Sequence, residues 1–199
     1  MLQALMDRRA TPPAVLSIAG SDSGGGAGIQ ADIKAFARCG VHGMTAITAL
    51  TAQNTVGVTA VHTVPPDFIV EQVRAVAGDI GVDAVKIGML GTAETIEAVA
   101  RALDLCGDAP VVVDPVMVAE SGARLLDEAA VDALRTLLLP RAAVVTPNVP
   151  EARALAGAGE EAEPEELARA IHALGPAAVV VTGGHREEAT DTFFDGERL

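Results

Sequence analysis

The stretch "AGSDSGGGAGIQAD" at residues 19–32 contains four glycines in five positions, directly before an apolar pattern typical of a helix. It has neither the Gly-Lys-Ser/Thr ending of a phosphate-binding loop nor the G-x-G-x-x-G spacing of a dinucleotide site. A glycine loop leading into a helix lets backbone approach a ligand and directs free amides toward it. The alternative is a tight turn that packs the helix on the preceding strand. Four glycines exceed what such a turn requires, so we favour a ligand-binding loop.

The motif "TPNVPE" at residues 146–151 follows an apolar run and places Asn148 three positions before Glu151. This spacing is that of a capping box, in which an N-cap side chain and a third-position carboxylate satisfy the first amides of a helix. The same residues could hold a hydrated magnesium ion, because Mg²⁺ keeps several waters and takes only one or two carboxylates. The residues alone leave both interpretations open.

Three further polar positions follow apolar runs or lie close to the glycine loop. Asp114 ends "PVVVDP", where a buried acid is costly unless it is paired, near a metal or at the mouth of a site; the alternative is a turn residue before Pro115. Gln53 and Asn54 could recognise the hydrogen-bonding edge of a flat heterocycle, or could simply form a turn. Asp32 lies about one helical turn beyond the glycine loop, near the end of the loop where a ligand would bind. The alternative is that Asp32 is only a first-turn acid that stabilises the helix dipole.

Strand and helix patterns alternate along the chain and position these residues. Short apolar runs rich in β-branched residues predict strands buried on both faces, at 14–20, 84–88, 110–115, 142–148 and 177–184. Helical stripes lie between them, so the sequence predicts an α/β fold with a mostly parallel sheet and helices on both faces, in three layers. The segments 44–64 and 189–199 break the alternation, because the first predicts two successive strands and the second a strand entering a turn at Asp195-Gly196. Ligands of such sheets bind beyond the carboxyl ends of the strands, where the polar residues lie.

Composition limits the class of protein. The 199 residues suffice for one domain, and the net charge of -13 argues against a nucleic-acid-binding surface. No apolar run approaches the roughly 20 residues of a membrane helix, and the first residues lack the order of a secretory signal. Cys39 and Cys106 match no metal spacing and are expected to be buried thiols. We therefore expect a soluble, cytoplasmic protein.

Several of these motifs, taken together and in this order, resemble one family. They are "IAGSDSGGGAGIQADIKAF", "TALTAQNT", "KIGML", "DPVM" followed by "SG", "TPNVPEA" and "TGGH". The chain resembles the hydroxymethylpyrimidine/phosphomethylpyrimidine kinases of thiamine biosynthesis, which belong to the ribokinase-like superfamily. The resemblance implies a ribokinase-like domain over residues 14–199, lacking its C-terminal part in this chain, after an N-terminal extension over residues 1–13.

The resemblance also implies roles for individual residues. The glycine loop would lie on the pyrimidine side of the site, and the residues implied to bind the pyrimidine are Gly20, Ala27, Asp32, Gln53, Met89 and Val116. Glu151 would serve the metal ion. The residues implied to lie toward the nucleotide are Asp114, Asn148, Thr182, Gly183 and Gly184, although some relatives have Lys where this chain has Thr182.

The catalytic motif of that family is a glycine-rich turn whose amides stabilise the phosphoryl group in transfer. The resemblance implies that this turn lies beyond Leu199, so residues 1–199 alone are expected to have little kinase activity. The similar-looking "GAGE" at 157–160 occurs two elements too early, and Glu160 is not expected to be the catalytic base.

The function implied is ATP- and Mg²⁺-dependent phosphorylation of 4-amino-5-hydroxymethyl-2-methylpyrimidine and of its monophosphate. One alternative is a pyridoxal kinase of the same superfamily, since both substrates are flat aza-aromatic alcohols. Another is a non-catalytic pyrimidine-binding module. The expected partners are therefore the pyrimidine alcohol and ATP, without nucleic acid or membrane, and Val58 to Val64 could form an edge strand of a homodimer.

Overall fold

The fold is built on one mixed sheet. The computed structural model describes residues 11–117, 126, 128–184 and 190–199. Within them, eight strands pair in the order β3-β2-β1-β4-β5-β6-β7-β8. The strands are β1 (Ala14–Asp22), β2 (His42–Gln53), β3 (Val58–Thr63), β4 (Ala84–Ile87), β5 (Val111–Val113), β6 (Val144–Val145), β7 (Val179–Val181) and β8 (Thr192–Phe194).

Helices connect most of these strands, as the alternating pattern predicts. They are α1 (Gly28–Arg38), α2 (Pro66–Asp79), α3 (Ala93–Leu103), α4 (Glu128–Ala133), α5 (Val149–Ala156) and α6 (Pro164–His172). The last turns before β6 are irregular, since a π-helical stretch over Leu134–Leu138 and a 3₁₀ turn over Leu139–Arg141 follow α4. Pro140 lies in that turn, where it cannot donate to a continuing α-helix.

The sheet is parallel except at its two edges. Strands β1, β2, β4, β5, β6 and β7 run in one direction. The edge strands β3 and β8 are antiparallel to their neighbours. Each segment that breaks the strand-helix alternation therefore supplies an edge strand, since 44–64 forms most of β2 and the edge strand β3, and the other segment contains β8. Asp195 and Gly196 form the predicted turn after β8.

The main core lies on one face of the sheet. Leu16, Ile18, Val85 and Ile87 are buried there against α2 and α3, and the apolar stripes of α5 and α6 extend the same core. Burial of a side chain of this size contributes about 1.5–3 kcal/mol. The opposite face carries α1, which packs on β1 and β2. Helices on both faces give the three layers expected.

The α1 face is less fully covered, and two sequence expectations fail there. The sequence places Ile29, Ile33, Phe36 and Ala37 at helical spacing, which predicts one apolar stripe on α1. Ile29 is buried and Phe36 packs beside Gly43, whereas Ile33 is 41% exposed. Cys39, just after α1, is exposed, so only Cys106 is the buried thiol predicted. A short helix packed on two strands through few side chains leaves its outer stripe and its C-terminus in solvent. Residues 1–10 of the proposed extension lie outside the described residues. Among the helices of the described residues, none is long and apolar enough to cross a membrane.

Candidate functional site

A cavity of about 290 Å³ opens at the carboxyl ends of β1, β2, β4 and β5. Strand order reverses beside β1, since the chain passes from β1 to β2 on one side and later returns to β4 on the other. Such a switch point leaves a crevice in open α/β sheets, and ligands bind there. All six residues that the family resemblance implies for pyrimidine binding line this cavity, namely Gly20, Ala27, Asp32, Gln53, Met89 and Val116.

The glycine loop is closed by its own aspartate. The carboxylate of Asp22 accepts hydrogen bonds from the amides of Gly24, Gly26 and Ala27 at 2.7, 2.9 and 2.8 Å. Burial raises the pKa of Asp22, but the hydrogen bonds from these amides together lower it by more than burial raises it. The pKa of Asp22 therefore lies below its ordinary value. The expectation that the loop directs free amides at a ligand is therefore wrong for these three amides, because Asp22 already uses them.

The close approach of backbone that glycine permits is nevertheless present. Gly28 has φ +55°, and a Cβ there would lie 2.2 Å from the carbonyl oxygen of Gly20. A Cβ on Gly20 would lie 2.5 Å from Cε of Met89. Glycine at both positions brings the start of α1 and Met89 against β1, and this contact shapes the cavity wall.

The sequence offers two interpretations of Gln53 and Asn54, a ligand contact and a turn, and each fits one of the two residues. Asn54 is a turn residue, because its Oδ1 accepts the amides of Val56 and Gly57. Gln53 lines the cavity, and its backbone is clamped by Ser23, whose Oγ donates to the Gln53 carbonyl at 2.6 Å and accepts from its amide at 2.8 Å. The glycine loop thus fixes the backbone that carries the Gln53 side chain.

A charged cluster in the cavity lining was not predicted from the sequence. Nζ of Lys86 lies 3.2 Å from Oδ1 of Asp32 and 3.5 Å from Oδ2 of Asp114, and the buried Ser17 hydroxyl donates to Asp32 at 2.6 Å. Burial raises the pKa of Asp114, the ammonium of Lys86 lowers it in part, and Asp32 raises it. Asp32 is the fifth residue of α1, and no acid occupies its first turn, so the alternative of a first-turn acid is wrong.

The Asn148–Glu151 pair forms the capping box at the start of α5. Oδ1 of Asn148 accepts the Glu151 amide at 2.9 Å, and Oε2 of Glu151 accepts the Asn148 amide at 3.0 Å. Oε1 of the buried Glu151 also accepts the amide of Met117 at 3.2 Å, which joins the end of β5 to α5. A carboxylate oxygen is a donor type that Mg²⁺ accepts directly or through its water shell, so the chemistry of Glu151 fits the surroundings of a hydrated cation. Among the described residues, no three acidic, His or Cys side chains cluster as a metal site.

The residues predicted to face the nucleotide lie along the ends of β5, β6 and β7. Asp114 borders the cavity, whereas Asn148 and Thr182 form a parallel bridge further along the same edge. The Gly183 amide donates to Asp191, and a Cβ on Gly183 would lie 2.1 Å from the Thr190 carbonyl oxygen. Gly184 is exposed. Thr182 and Gly183 thus connect the returning β8 segment to the edge.

The fold is similar to that of solved kinase structures. The phosphomethylpyrimidine kinase of Clostridium difficile superposes with a TM-score of 0.84 at 43% identity, over 93% of this chain and 81% of that one. An ADP complex of a Bacillus subtilis pyridoxal kinase gives a TM-score of 0.84 at 42% identity, over 94% and 73%. The fold therefore places the chain in the class of kinases that share this ribokinase-like α/β architecture.

Within that class, sequence similarity identifies the family to which the chain belongs. The phosphomethylpyrimidine kinase family model matches residues 22–199, and the chain belongs to this family. It is 56% identical over 189 residues to the hydroxymethylpyrimidine/phosphomethylpyrimidine kinase of Rhizobium meliloti, covering 92% of this chain and 71% of that protein. It is 52% identical over 198 residues to a thiamine biosynthesis bifunctional protein of Geobacter sulfurreducens, covering 96% of this chain and 40% of that protein. The chain thus spans part of each relative's length.

Proposed function

We propose that this chain supplies the substrate side of an ATP- and Mg²⁺-dependent kinase. Its substrates are 4-amino-5-hydroxymethyl-2-methylpyrimidine and the monophosphate of that alcohol, in thiamine diphosphate biosynthesis. The observation that carries the proposal is the convergence of Gly20, Ala27, Asp32, Gln53, Met89 and Val116 on one cavity, in a chain of the phosphomethylpyrimidine kinase family.

The cavity suits a flat, polar-edged ring. Gly20, Ala27, Met89 and Val116 offer apolar or backbone surface to the faces of an aromatic ring. Gln53 carries both a hydrogen-bond donor and an acceptor, which match an amino group and a ring nitrogen. An enclosed site that holds the hydroxymethyl group toward Asp114 would position its oxygen for phosphoryl transfer, which depends mainly on alignment and charge neutralisation.

The phosphate side would use Asp114, Asn148, Glu151 and Thr182 to Gly184. Glu151 would hold Mg²⁺ through its water shell, and the ion would neutralise phosphate charge. In the first reaction, the hydroxyl oxygen would form a bond to the γ-phosphorus of ATP and release its proton to solvent, while the bond between the γ-phosphorus and the oxygen bridging to the β-phosphorus breaks and ADP leaves. In the second reaction, an oxygen of the monophosphate would attack the γ-phosphorus of another ATP in the same way. ATP use agrees with the ADP-bound structural neighbour. A pathway enzyme that consumes ATP would work in the cytoplasm.

Binding and turnover test the proposal separately. Calorimetry with the pyrimidine alcohol is expected to give a saturable one-site isotherm, because the cavity lies within the described residues. Incubation of a protein that includes the family's glycine turn with ATP, Mg²⁺ and the alcohol is expected to yield the monophosphate and then the diphosphate. Absence of both binding and phosphorylation would overturn the proposal, and binding without turnover by a protein that includes the family's glycine turn would instead favour a non-catalytic binding module.

A pyridoxal kinase is the second candidate, favoured by the 42% identity to the Bacillus subtilis pyridoxal kinase. Comparing kcat/KM for the two alcohols on one preparation distinguishes them, and only the pyrimidine kinase is expected to accept a monophosphate. We also propose a homodimer through β3, because this edge strand carries the half-exposed Val61 and the turn before it carries the exposed Val56.

A further inference from the structure

The proposed substrate cavity is acidic. Its lining contains three carboxylates, those of Asp22, Asp32 and Asp114, and Lys86 is the one cationic side chain among the described residues that line it. The whole chain carries a net charge of -13. The second proposed substrate bears a phosphate with nearly two negative charges at neutral pH. Such an anion would be repelled unless the negative charge of the cavity were locally offset.

Two of the three carboxylates have identifiable neutral donors. Asp22 is engaged by three backbone amides of the glycine loop, and Asp32 accepts the hydroxyl of Ser17. These neutral donors spread a carboxylate's charge but do not cancel it. Among the described residues that line the cavity, only the ammonium of Lys86 offsets this negative charge, so Lys86 sets the net charge that they present to a ligand.

The structure holds Lys86 in one position between two carboxylates. Its Nζ lies 3.2 and 3.3 Å from the two Asp32 oxygens and 3.5 Å from Asp114. The side chain is 22% exposed and lies beside Gly88, where an added Cβ would approach Nζ to 3.0 Å. Lys86 therefore joins α1, β4 and the end of β5 along the cavity wall, from the proposed pyrimidine side at Asp32 to the proposed phosphate side at Asp114.

We propose that Lys86 is a positioning and specificity-determining residue that admits the anionic monophosphate to this cavity. The ammonium of Lys86 holds Asp32 and Asp114 in place. It also brings the combined charge of Lys86, Asp32 and Asp114 to -1, where the two carboxylates alone would carry -2. This inference rests on the proposed function. Loss of the ammonium would leave two uncompensated carboxylates, which oppose a dianion much more strongly than a neutral alcohol in a partly desolvated site.

Four variants separate charge from structure. The summed charge at positions 32, 86 and 114 is -2 in Lys86→Met and 0 in Asp114→Asn. The double variant Lys86→Met/Asp114→Asn returns this sum to -1. Arg74→Met is the matched control, because Arg74 pairs with Glu71 on the exposed surface of α2 and its loss changes the protein's net charge equally. Calorimetry at pH 8, well above the ordinary pKa of a carboxyl group, measures the affinities for the alcohol and the monophosphate without nucleotide.

The readout is the ratio of monophosphate affinity to alcohol affinity, which a general loss of structure would not move. Lys86→Met is expected to lower this ratio about tenfold or more. Asp114→Asn is expected to raise it, the double variant to return it near the wild-type ratio, and Arg74→Met to leave it unchanged. An unchanged ratio in Asp114→Asn, or a double variant no better than Lys86→Met, would overturn the inference. Failure of the wild-type protein to bind either ligand would instead overturn the proposed function.

Discussion

At the scale of single residues, neighbours in sequence have different tasks. Asn54 closes the β2–β3 turn, while Gln53, one position earlier, lines the cavity. The difference arises because Gln53 is the last residue of β2, whereas Asn54 lies beyond the strand, where its side chain accepts the amides of the turn. Ser23 then fixes the Gln53 backbone from the glycine loop.

Replacement of Gln53 by Ala tests its proposed contact with the ring. We expect weaker pyrimidine binding with nucleotide affinity almost unchanged, because the ring would lose hydrogen bonds worth about 1–3 kcal/mol. That loss corresponds to roughly a tenfold to hundredfold rise in Kd. Calorimetry with each ligand measures it. An equal loss for both ligands would show instead that the substitution disturbs the fold.

The sequence could predict the six cavity residues but not the cluster around Lys86. The six follow motifs whose order along the chain resembles a family. Lys86 lies within an apolar strand, 54 positions after Asp32, and its role depends on the register of β4 against β1 and on the placement of α1. The pattern of a single strand carries no information on those distances.

At the scale of elements, the glycine loop combines the two interpretations that the sequence offers. It borders a cavity, as a ligand-binding loop would, yet its amides are satisfied internally by Asp22, as in a tight turn. The capping box of α5 behaves similarly, because Glu151 completes a local motif and also reaches the Met117 amide. Spacing alone identifies such motifs but not the distant groups that they contact.

Asp22→Asn is expected to destabilise the protein in a pH-dependent way. An Asn oxygen can replace only one acceptor, so some loop amides lose their partner, at a cost of about 1–3 kcal/mol at pH 7. The folded-state pKa of Asp22 lies below the unfolded value. Its stabilisation is therefore complete above the unfolded pKa and disappears as the pH falls through the folded pKa.

Denaturant unfolding of wild type and Asp22→Asn at several pH values checks this expectation. The difference in unfolding free energy should be largest at neutral pH and should narrow below about pH 4, the ordinary value for an aspartate. A difference that stays constant from pH 7 to pH 3 would mean that the ionised carboxylate does not stabilise the loop.

Gly28→Ala tests the close approach of α1 to β1. The added methyl would meet the Gly20 carbonyl at 2.2 Å with φ at +55°, so we expect a loss of at least about 2 kcal/mol in unfolding free energy. Gly78→Ala, near the end of α2, is the control. It has open space and no positive φ, so it should be neutral or stabilising by up to about 1 kcal/mol. Equal effects in thermal unfolding would contradict the close-approach explanation.

At the scale of the whole molecule, the strand pattern predicts the sheet well because each buried parallel strand reads as a continuous apolar run. The exposure of Ile33 and Cys39 was not predictable, because it depends on how much of α1 other elements cover. The edge strands β3 and β8 are also exposed because of what other elements leave uncovered. Each is the last strand on its side among the described residues, and each carries a half-exposed apolar side chain, Val61 or Phe193.

The last prediction concerns which edge joins two copies of the chain. An unpaired edge strand offers backbone donors and acceptors to another strand, and an apolar side chain there favours association. We expect light scattering after size exclusion to give a dimer mass for the wild type and a monomer mass for Val61→Glu, since a buried carboxylate at the interface is costly. Phe193→Glu, at the other edge, is the control and should remain dimeric. A wild-type monomer, or dissociation by Phe193→Glu with Val61→Glu still dimeric, would contradict an interface through β3.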